Sequence, residues 1–400
     1  MYTKRVVITG LGVVAPNGIG KEEFWNNCFA GVSGIKPIAL FDTSKYRCRY
    51  AGEITGFKPE QYLGPKGLRN LDRTTLLALV AAKLAIDDAR LDINDDNRHE
   101  IGVVLGSTMG SVHSISEFDK EGLREGPRYV NPAHFPNTVI NSPASQVAIR
   151  FGLRSLNATI STGFTASLDA IGYAWDMLEL GRAKKLLVGG VEELCIQTFL
   201  GFYKLGFLAT SQNGTPPFYR PFDRRHSGTL LGEGAVFVVL EPLQDAMVRG
   251  ATIYGELLAY SNQFHPDSFF RYDPQARGPV TVIRQALEEA GLTPDDIDHI
   301  SACANSTKVC DDMETTALNT VLGSRVDRIP VNAVKSLLGE SFSAGAAFQL
   351  ASTLGALVHQ PVPATVPSNG SEASESETAL INTFGPTGTS SAMVLAGIGR

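Results

Sequence analysis

Ile160-Ser161-Thr162-Gly163-Phe164-Thr165-Ala166-Ser167 decides how the rest of the chain is read: a short β-type run, Asn157 to Thr162, meets a helix through one tight turn of small residues. A strand-to-helix elbow projects its apical side chain beside a helix N-terminus, whose unpaired N–H groups and positive dipole end favour negative charge. A nucleophile belongs at that apex. Phe164 stands there and offers no nucleophilic atom, so the site is either lost or redirected.

Outward from the elbow, the helix Ala166 to Leu180 stops at Gly181 and Lys185 to Gly190 follows as a strand. Strand, elbow, helix and strand make a βαβ unit with a parallel sheet. Upstream, Thr74 to Ala89 carries Leu76, Leu77, Val80 and Leu84 at helical spacing, and Ile101 to Ser107 reads as a buried strand. Prolines 132, 136 and 143 put loops before a short helix within Asn131 to Val147. Arg5 to Gly12 reads as strand then turn, with a helix from Gly20 to Phe29. Downstream come strand Val236 to Leu240, helix Pro242 to Arg249, strand Thr252 to Ser261, helix Val280 to Ala290, strand His299 to Ala302 and helix Glu314 to Leu322. A turn at Lys335, helix Ala344 to Val358, a Pro/Ser/Glu-rich loop Pro361 to Glu377 and strands Thr378 to Phe384 and Ala392 to Gly397 complete the order. Residues 1–250, which carry the elbow, and 251–400 repeat a similar strand–helix order, which predicts an internally duplicated α/β fold.

Several function classes fall away. With 19% charged residues and a net charge of −6, the chain has neither a basic run nor aromatic–basic interleaving, so no nucleic acid or anionic membrane is expected as a partner. Ala344 to Val358 is interrupted by Gln349, Ser352, Thr353 and two glycines, and reads as a buried helix, not a membrane span. The N-terminus runs into a strand without a signal-peptide pattern, and five scattered cysteines suit reduced thiols, so a cytoplasmic protein is expected. Gly10-x-Gly12-x-x-Ala15 formally matches a dinucleotide fingerprint, but Pro16-Asn17-Gly18 interrupts where its helix should begin. Cys303 and Cys310 near His299 lack zinc-ligand spacing. Neither cofactor nor metal is expected.

Val7-Ile8-Thr9-Gly10-Leu11-Gly12, Arg220-Pro221-Phe222-Asp223 with Gly232-Glu233-Gly234-Ala235, and Asn382-Thr383-Phe384-Gly385 with Gly388-Thr389 carry a resemblance along essentially the whole chain. The sequence resembles the thiolase-fold β-ketoacyl synthases of fatty acid and type II polyketide synthesis. That resemblance implies a duplicated, layered α-β-α-β-α fold. In such enzymes a cysteine at the elbow holds the acyl chain as a thioester, while two histidines stabilise the enolate from malonyl-carrier protein and the later oxyanion. Residue by residue, the cysteine position falls on Phe164. The first histidine position falls on Cys303, in Ser301-Ala302-Cys303-Ala304-Asn305-Ser306-Thr307, and the second on Glu340, after Lys335-Ser336-Leu337-Leu338-Gly339. Lys335 and Glu314, whose family counterparts form a supporting ion pair, are both kept.

Acyl transfer needs a thiolate or its equivalent at the elbow, and neither Phe164 nor Thr165 supplies one. Condensation also needs donors aimed at a developing oxyanion, worth roughly 3–4 kcal/mol each. Cys303 is a weak donor. An ionised Glu340 would oppose the enolate; the alternatives are a protonated buried acid or an ion-pair partner of Lys335. A ketosynthase-like scaffold without its triad looks like the chain-length factor of type II polyketide systems, an inactive partner that forms a heterodimer with an active ketosynthase serving acyl carrier protein. In that family the strand before the elbow, here Asn157-Ala158-Thr159-Ile160-Ser161-Thr162, pairs across the dimer axis. Chain-length factors of aromatic systems commonly carry glutamine at the elbow, so phenylalanine leaves a polyene-type system open. By the same analogy Met109 and the Phe135 region are candidates for the tunnel floor, and Pro386 replaces a mobile gate phenylalanine. The competing expectations are a homodimeric acyltransferase using Cys303 and a carrier-protein-binding scaffold.

Overall fold

The chain builds one five-stranded unit twice. In the computed structural model, which describes residues 4–211, 217, 219–266, 271–359 and 377–398, the first set comprises β1 (Val6–Ala15), β2 (Ile101–Gly106), β3 (Asn157–Ile160), β4 (Lys185–Glu192) and β5 (Gly234–Pro242). Their spatial order is β3-β2-β4-β5-β1. The second set is β6 (Gly255–Phe264), β7 (His299–Ser301), β8 (Val331–Asn332), β9 (Thr378–Phe384) and β10 (Thr389–Ala396), in the order β8-β7-β9-β10-β6. Directions repeat as well: β2 is parallel to β3 and β4, and β7 is parallel to β8 and β9. The β1–β5, β4–β5, β6–β10 and β9–β10 pairs are antiparallel. The sheets meet where Val6, Val7 and Ile8 of β1 pair with Leu257, Glu256 and Gly255 of β6.

The helices follow the same duplication: α1 (Arg73–Asp88), α2 (Ser142–Phe151) and α3 (Ala166–Glu179), then α4 (Arg277–Ala290), α5 (Lys308–Leu322) and α6 (Ser343–His359). α1 and α2 pack on the first sheet, α4 packs on the second with α5 alongside it, and α3 lies against α6 between the sheets. This is the layered α-β-α-β-α arrangement. Every residue of α6 from Ser343 to Ala356 is buried, the signature of a helix enclosed on all sides.

Gly10 and Gly12 sit inside β1, not in a turn. A Cβ at Gly12 would lie 2.0 Å from the Ala81 carbonyl oxygen and one at Gly10 2.5 Å from that of Ala85, so these glycines let α1 rest directly on the strand. The turn expected at Gly12 is absent because β1 continues to Ala15. α5 begins at Lys308, six residues before the expected start, and β6 extends to Phe264 because β10 pairs with it as far as Thr389. The helix Val112–Glu125 has no sequence-based counterpart above; none of its residues is buried. Residues 361–376 of the predicted loop lie outside the described residues. Among the described residues no helix is long and apolar enough to cross a membrane.

Candidate functional site

The elbow joins β3 to α3. β3 ends at Ile160, so Ser161 and Thr162, expected as its last residues, stand beyond it and are exposed. The strand stops because Thr162 turns its hydroxyl to Asp169 in the first turn of α3 and Gly163 takes φ +82°. The Thr165 hydroxyl also donates to Asp169, at 2.8 Å, as do Tyr260 at 2.7 Å and Ser391 at 2.5 Å. A carboxylate taking four hydroxyls is a structural knot, and it holds both hydroxyls that flank the apex, those of Thr162 and Thr165.

Phe164 points the other way, into a cluster of apolar side chains that includes Met109, and is 5% exposed. Its ring centroid lies 5.2 Å from Phe342 and 6.2 Å from Phe202, which themselves stack at 4.7 Å. Edge-on and offset ring pairs suit the aromatic quadrupole and add roughly 0.5–1.5 kcal/mol each beyond burial. The Phe164 carbonyl accepts from the Thr383 hydroxyl at 3.3 Å. The apex is a packed aromatic.

Cys303 and Glu340 lie behind this ring. Glu340 is fully buried; its Oε2 accepts from Lys335 Nζ at 2.9 Å and Asn305 Nδ2 at 3.1 Å, and its Oε1 from the Phe342 N–H at 3.0 Å. Of the alternatives the sequence leaves open for Glu340, the structure forms the ion pair with Lys335. The Lys335–Glu314 pair implied by resemblance is not formed, because Glu314 is committed elsewhere: its oxygens accept the Cys303 and Ala304 N–H groups at 2.9 and 2.8 Å. Burial, then the Cys303 sulfur, push the Glu314 carboxyl well above its ordinary range. Burial works against the Lys335 charge too, but Cys303 and Glu340 outweigh it and hold the ammonium above its ordinary value.

Cys303 Sγ accepts from the Phe384 N–H at 3.1 Å and lies 3.8 Å from Lys335 Nζ. Hydrogen bonding with Cys310 outweighs burial and, with the nearby Lys335 charge, brings the Cys303 thiol down to about 7, whereas burial pushes Cys28 up to about 12. Cys303 is nonetheless wholly inaccessible, with 0% exposure.

Two short segments therefore bring the three altered positions together. Glu340 to Ser343 carries the acid and the Phe342 ring that meets Phe164; Thr383 and Phe384 bond Phe164 and Cys303. The next residues form the β9–β10 turn, where Gly385 donates to Thr389 at 2.9 Å and Pro386 is buried. Phe135 is not brought to the site: it is 56% exposed and packs on Phe118 at 6.1 Å. Leu123, Tyr129, Ile140 and Ile149 are exposed apolar side chains as well. β3 lies at the end of its sheet, with β2 its one partner strand among the described residues.

The sequence motifs hold this architecture together. Glu233 is fully buried and takes two bonds from Arg73, at 2.5 and 2.7 Å, besides the Ile54 and Leu194 N–H groups. Asp311 accepts from Phe222 N–H at 2.8 Å and Asn305 N–H at 3.1 Å, tying 220–223 to the Cys303 loop. Sequence reasoning missed Asn305, Phe342 and Glu192. The last closes an apolar strand and accepts the Thr108 and Met109 N–H groups at 3.0 and 2.9 Å. An acid pair, Glu192-Glu193, closing such a strand is its one visible signal. Beside the elbow, opposite the Phe164 ring, an open cleft of about 530 Å³ is lined by hydroxyls and amides, among them Thr108, Thr162, Thr387, Thr389 and Asn262.

A duplicated layered fold with a strand-to-helix elbow at its centre, and the lysine and two histidine-equivalent positions gathered behind it, defines a protein of the condensing-enzyme type. The chain belongs to the β-ketoacyl synthase family: residues 3–246 match the model of the β-ketoacyl synthase N-terminal domain and residues 254–369 that of the C-terminal domain. It is 33% identical to a 3-oxoacyl-[acyl-carrier-protein] synthase 2 of Coxiella burnetii over 99% of both chains. It is also 33% identical to the synthase of that name from Synechocystis, over 91% of this chain and 88% of that one. Among solved structures it resembles the ishigamide ketosynthase/chain length factor, with 30% identity, a TM-score of 0.88 and 99% and 100% of the two chains covered. It also resembles a chain in a type II polyketide synthase acyl-carrier protein complex with its ketosynthase bound to the hexaketide, with 28% identity, a TM-score of 0.87 and the same coverage.

Proposed function

We propose that this chain is a non-catalytic chain-length factor, which pairs with an active ketosynthase and shapes the tunnel in which that subunit elongates a polyketide or polyene chain held on acyl carrier protein. The observation that carries this reading is the Phe164 ring, seated where a nucleophile would stand and packed against the stacked pair of Phe202 and Phe342. The changes around it agree: Glu340 is spent on Lys335 and on the Phe342 N–H, and none of the three positions presents a base or an oxyanion donor to an incoming acyl group. The edge of β3, whose one partner strand among the described residues is β2, supplies the face for the ketosynthase, with exposed apolar side chains such as Tyr129, Phe135 and Ile140 near it in the chain. Residues 1–250 would contribute the partner-facing elbow and 251–400 the buried support behind it. Met109, in the Phe164 cluster, is the candidate for the tunnel floor.

The synthases among its relatives make an active enzyme the natural competitor. Purified alone, the chain is expected to show no condensation with malonyl-carrier protein; co-expressed with an intact ketosynthase, it is expected to form a stable heterodimer that elongates. A second reading, an acyltransferase using Cys303, is favoured by a thiol held at about 7 beside Lys335. It predicts an acyl adduct in the intact mass that Cys303→Ser abolishes. Burial of the sulfur favours the first reading.

A further inference from the structure

We propose that Glu192 is a positioning residue for chain-length selection: its carboxylate fixes the turn that carries Met109. This rests on the reading of Met109 as tunnel floor. β2 ends at Gly106 and the helix Val112–Glu125 begins six residues later, so Met109 sits on a short turn whose own secondary structure does not hold it. Side-chain bonds hold it instead, and besides the Ser107 hydroxyl that accepts the Gly110 N–H at 3.1 Å they converge on Glu192 and the elbow. Glu192 Oε2 accepts the Thr108 N–H at 3.0 Å and Oε1 the Met109 N–H at 2.9 Å, and the Thr108 hydroxyl donates to the Gly163 carbonyl of the elbow at 2.7 Å.

A carboxylate is suited to that task by its chemistry. Ionised, it presents two acceptor oxygens and no donor, so it takes two consecutive N–H groups at once and fixes both the place and the tilt of the peptide between them. An amide would turn a donor toward one of those N–H groups. The third bond, from the Ser343 hydroxyl to Oε2 at 2.6 Å, anchors the carboxylate to the first residue of α6, next to Phe342. Glu192 is 1% exposed, and the hydrogen bonds to its carboxylate come from two backbone amides and one hydroxyl, without a cation. The Met109 side chain is flexible, but its Cα is not free, and the height of the floor follows from the Cα.

The test uses the complex of this chain with its ketosynthase and reads two quantities: hydrogen exchange at the Thr108 and Met109 amides, and the ratio of longer to shorter product. Met109→Ala should shift the ratio by about tenfold, the scale on which an apolar pocket discriminates small changes in length. Glu192→Gln should speed exchange at both amides and shift the ratio in the same direction by roughly threefold, the sign of a partly released anchor. That second shift should vanish in the Met109→Ala background, because nothing remains to be positioned. Ser343→Ala, which leaves both amide bonds in place but removes the anchor of the carboxylate, should move the ratio less than Glu192→Gln does. A shift in Met109→Ala with unchanged exchange and product in Glu192→Gln overturns the role of Glu192 and spares that of Met109. An unchanged product in Met109→Ala overturns the floor reading and the inference with it. Should Glu192→Gln fail to fold, Glu192→Asp keeps the charge, withdraws it by one methylene and carries the same expectations.

Discussion

The duplicated fold contains two elbows, and they meet at one aromatic contact. In the first half β3 leads through Gly163 and Phe164 into α3; in the second β8 leads through Glu340 and Phe342 into α6, and the two rings lie 5.2 Å apart. The first elbow is half open: Ser161 and Thr162 are exposed and a polar cleft lies beside them, and its left-handed residue is a glycine, Gly163 at φ +82°. The second is closed: Glu340, Ser341, Phe342 and Ser343 are all at most 1% exposed, and its left-handed residue is Phe342 itself at φ +48°. A bulky residue in that region is strained by on the order of 1–3 kcal/mol and persists only where its surroundings dictate it. Here Glu340 accepts the Phe342 N–H and is anchored by Lys335. Glu340 is thus the clamp of a structural elbow, and the acid at a histidine position is explained by what it holds.

If this contrast is right, damage should be graded. The largest effect should come from Glu340→Ala, which leaves a buried Lys335 unpaired and releases Phe342; removing one partner of a buried pair costs roughly 3–5 kcal/mol, read as a lower urea midpoint. Phe164→Ala, at the half-open elbow, should cost about 3 kcal/mol, the low end for a buried phenylalanine. Phe164→Cys should create a thiol without creating condensation, since Cys303 and Glu340 remain behind it; an assay with malonyl-carrier protein checks this.

A smaller effect separates acids with a cation from acids without one. Burial pushes Glu192 up to about 7, and burial with Asp72 pushes Glu193 up to about 8. Both carboxyls bind their protons more tightly folded than unfolded, so folding takes up protons between the ordinary glutamate range and these values. Stability should therefore fall as pH rises from 5 to 8, and Glu193→Gln should flatten that fall in urea titrations at several pH values. The smallest change is expected for Gly163→Ala, whose Cβ would meet Thr387 Oγ1 at 3.4 Å and whose φ disfavours any side chain; about 1–2 kcal/mol is expected.

Much of this was legible before any coordinates. The βαβ unit around Phe164 and the repeated order of the halves follow from apolar periodicity and turn residues, whereas the significance of Phe164, Cys303 and Glu340 rests on the resemblance alone. The second elbow was not legible, because Phe342 takes a positive φ without the glycine that usually announces one. Neither was the switch of Lys335 from Glu314 to Glu340, since three buried charged side chains can pair in more than one way and only their directions decide. The helix Val112–Glu125 escaped notice because its apolar residues, Ile115, Phe118 and Leu123 among them, stay partly or wholly exposed in this chain.

The central claim is that this chain supports condensation without performing it. Its most direct test is malonyl-carrier protein condensation measured for the complex in which the ketosynthase partner has lost its elbow cysteine, beside the intact complex and this chain alone. The account predicts elongation by the intact complex and none by the other two; turnover by this chain alone, or by the complex without the partner's cysteine, would contradict it.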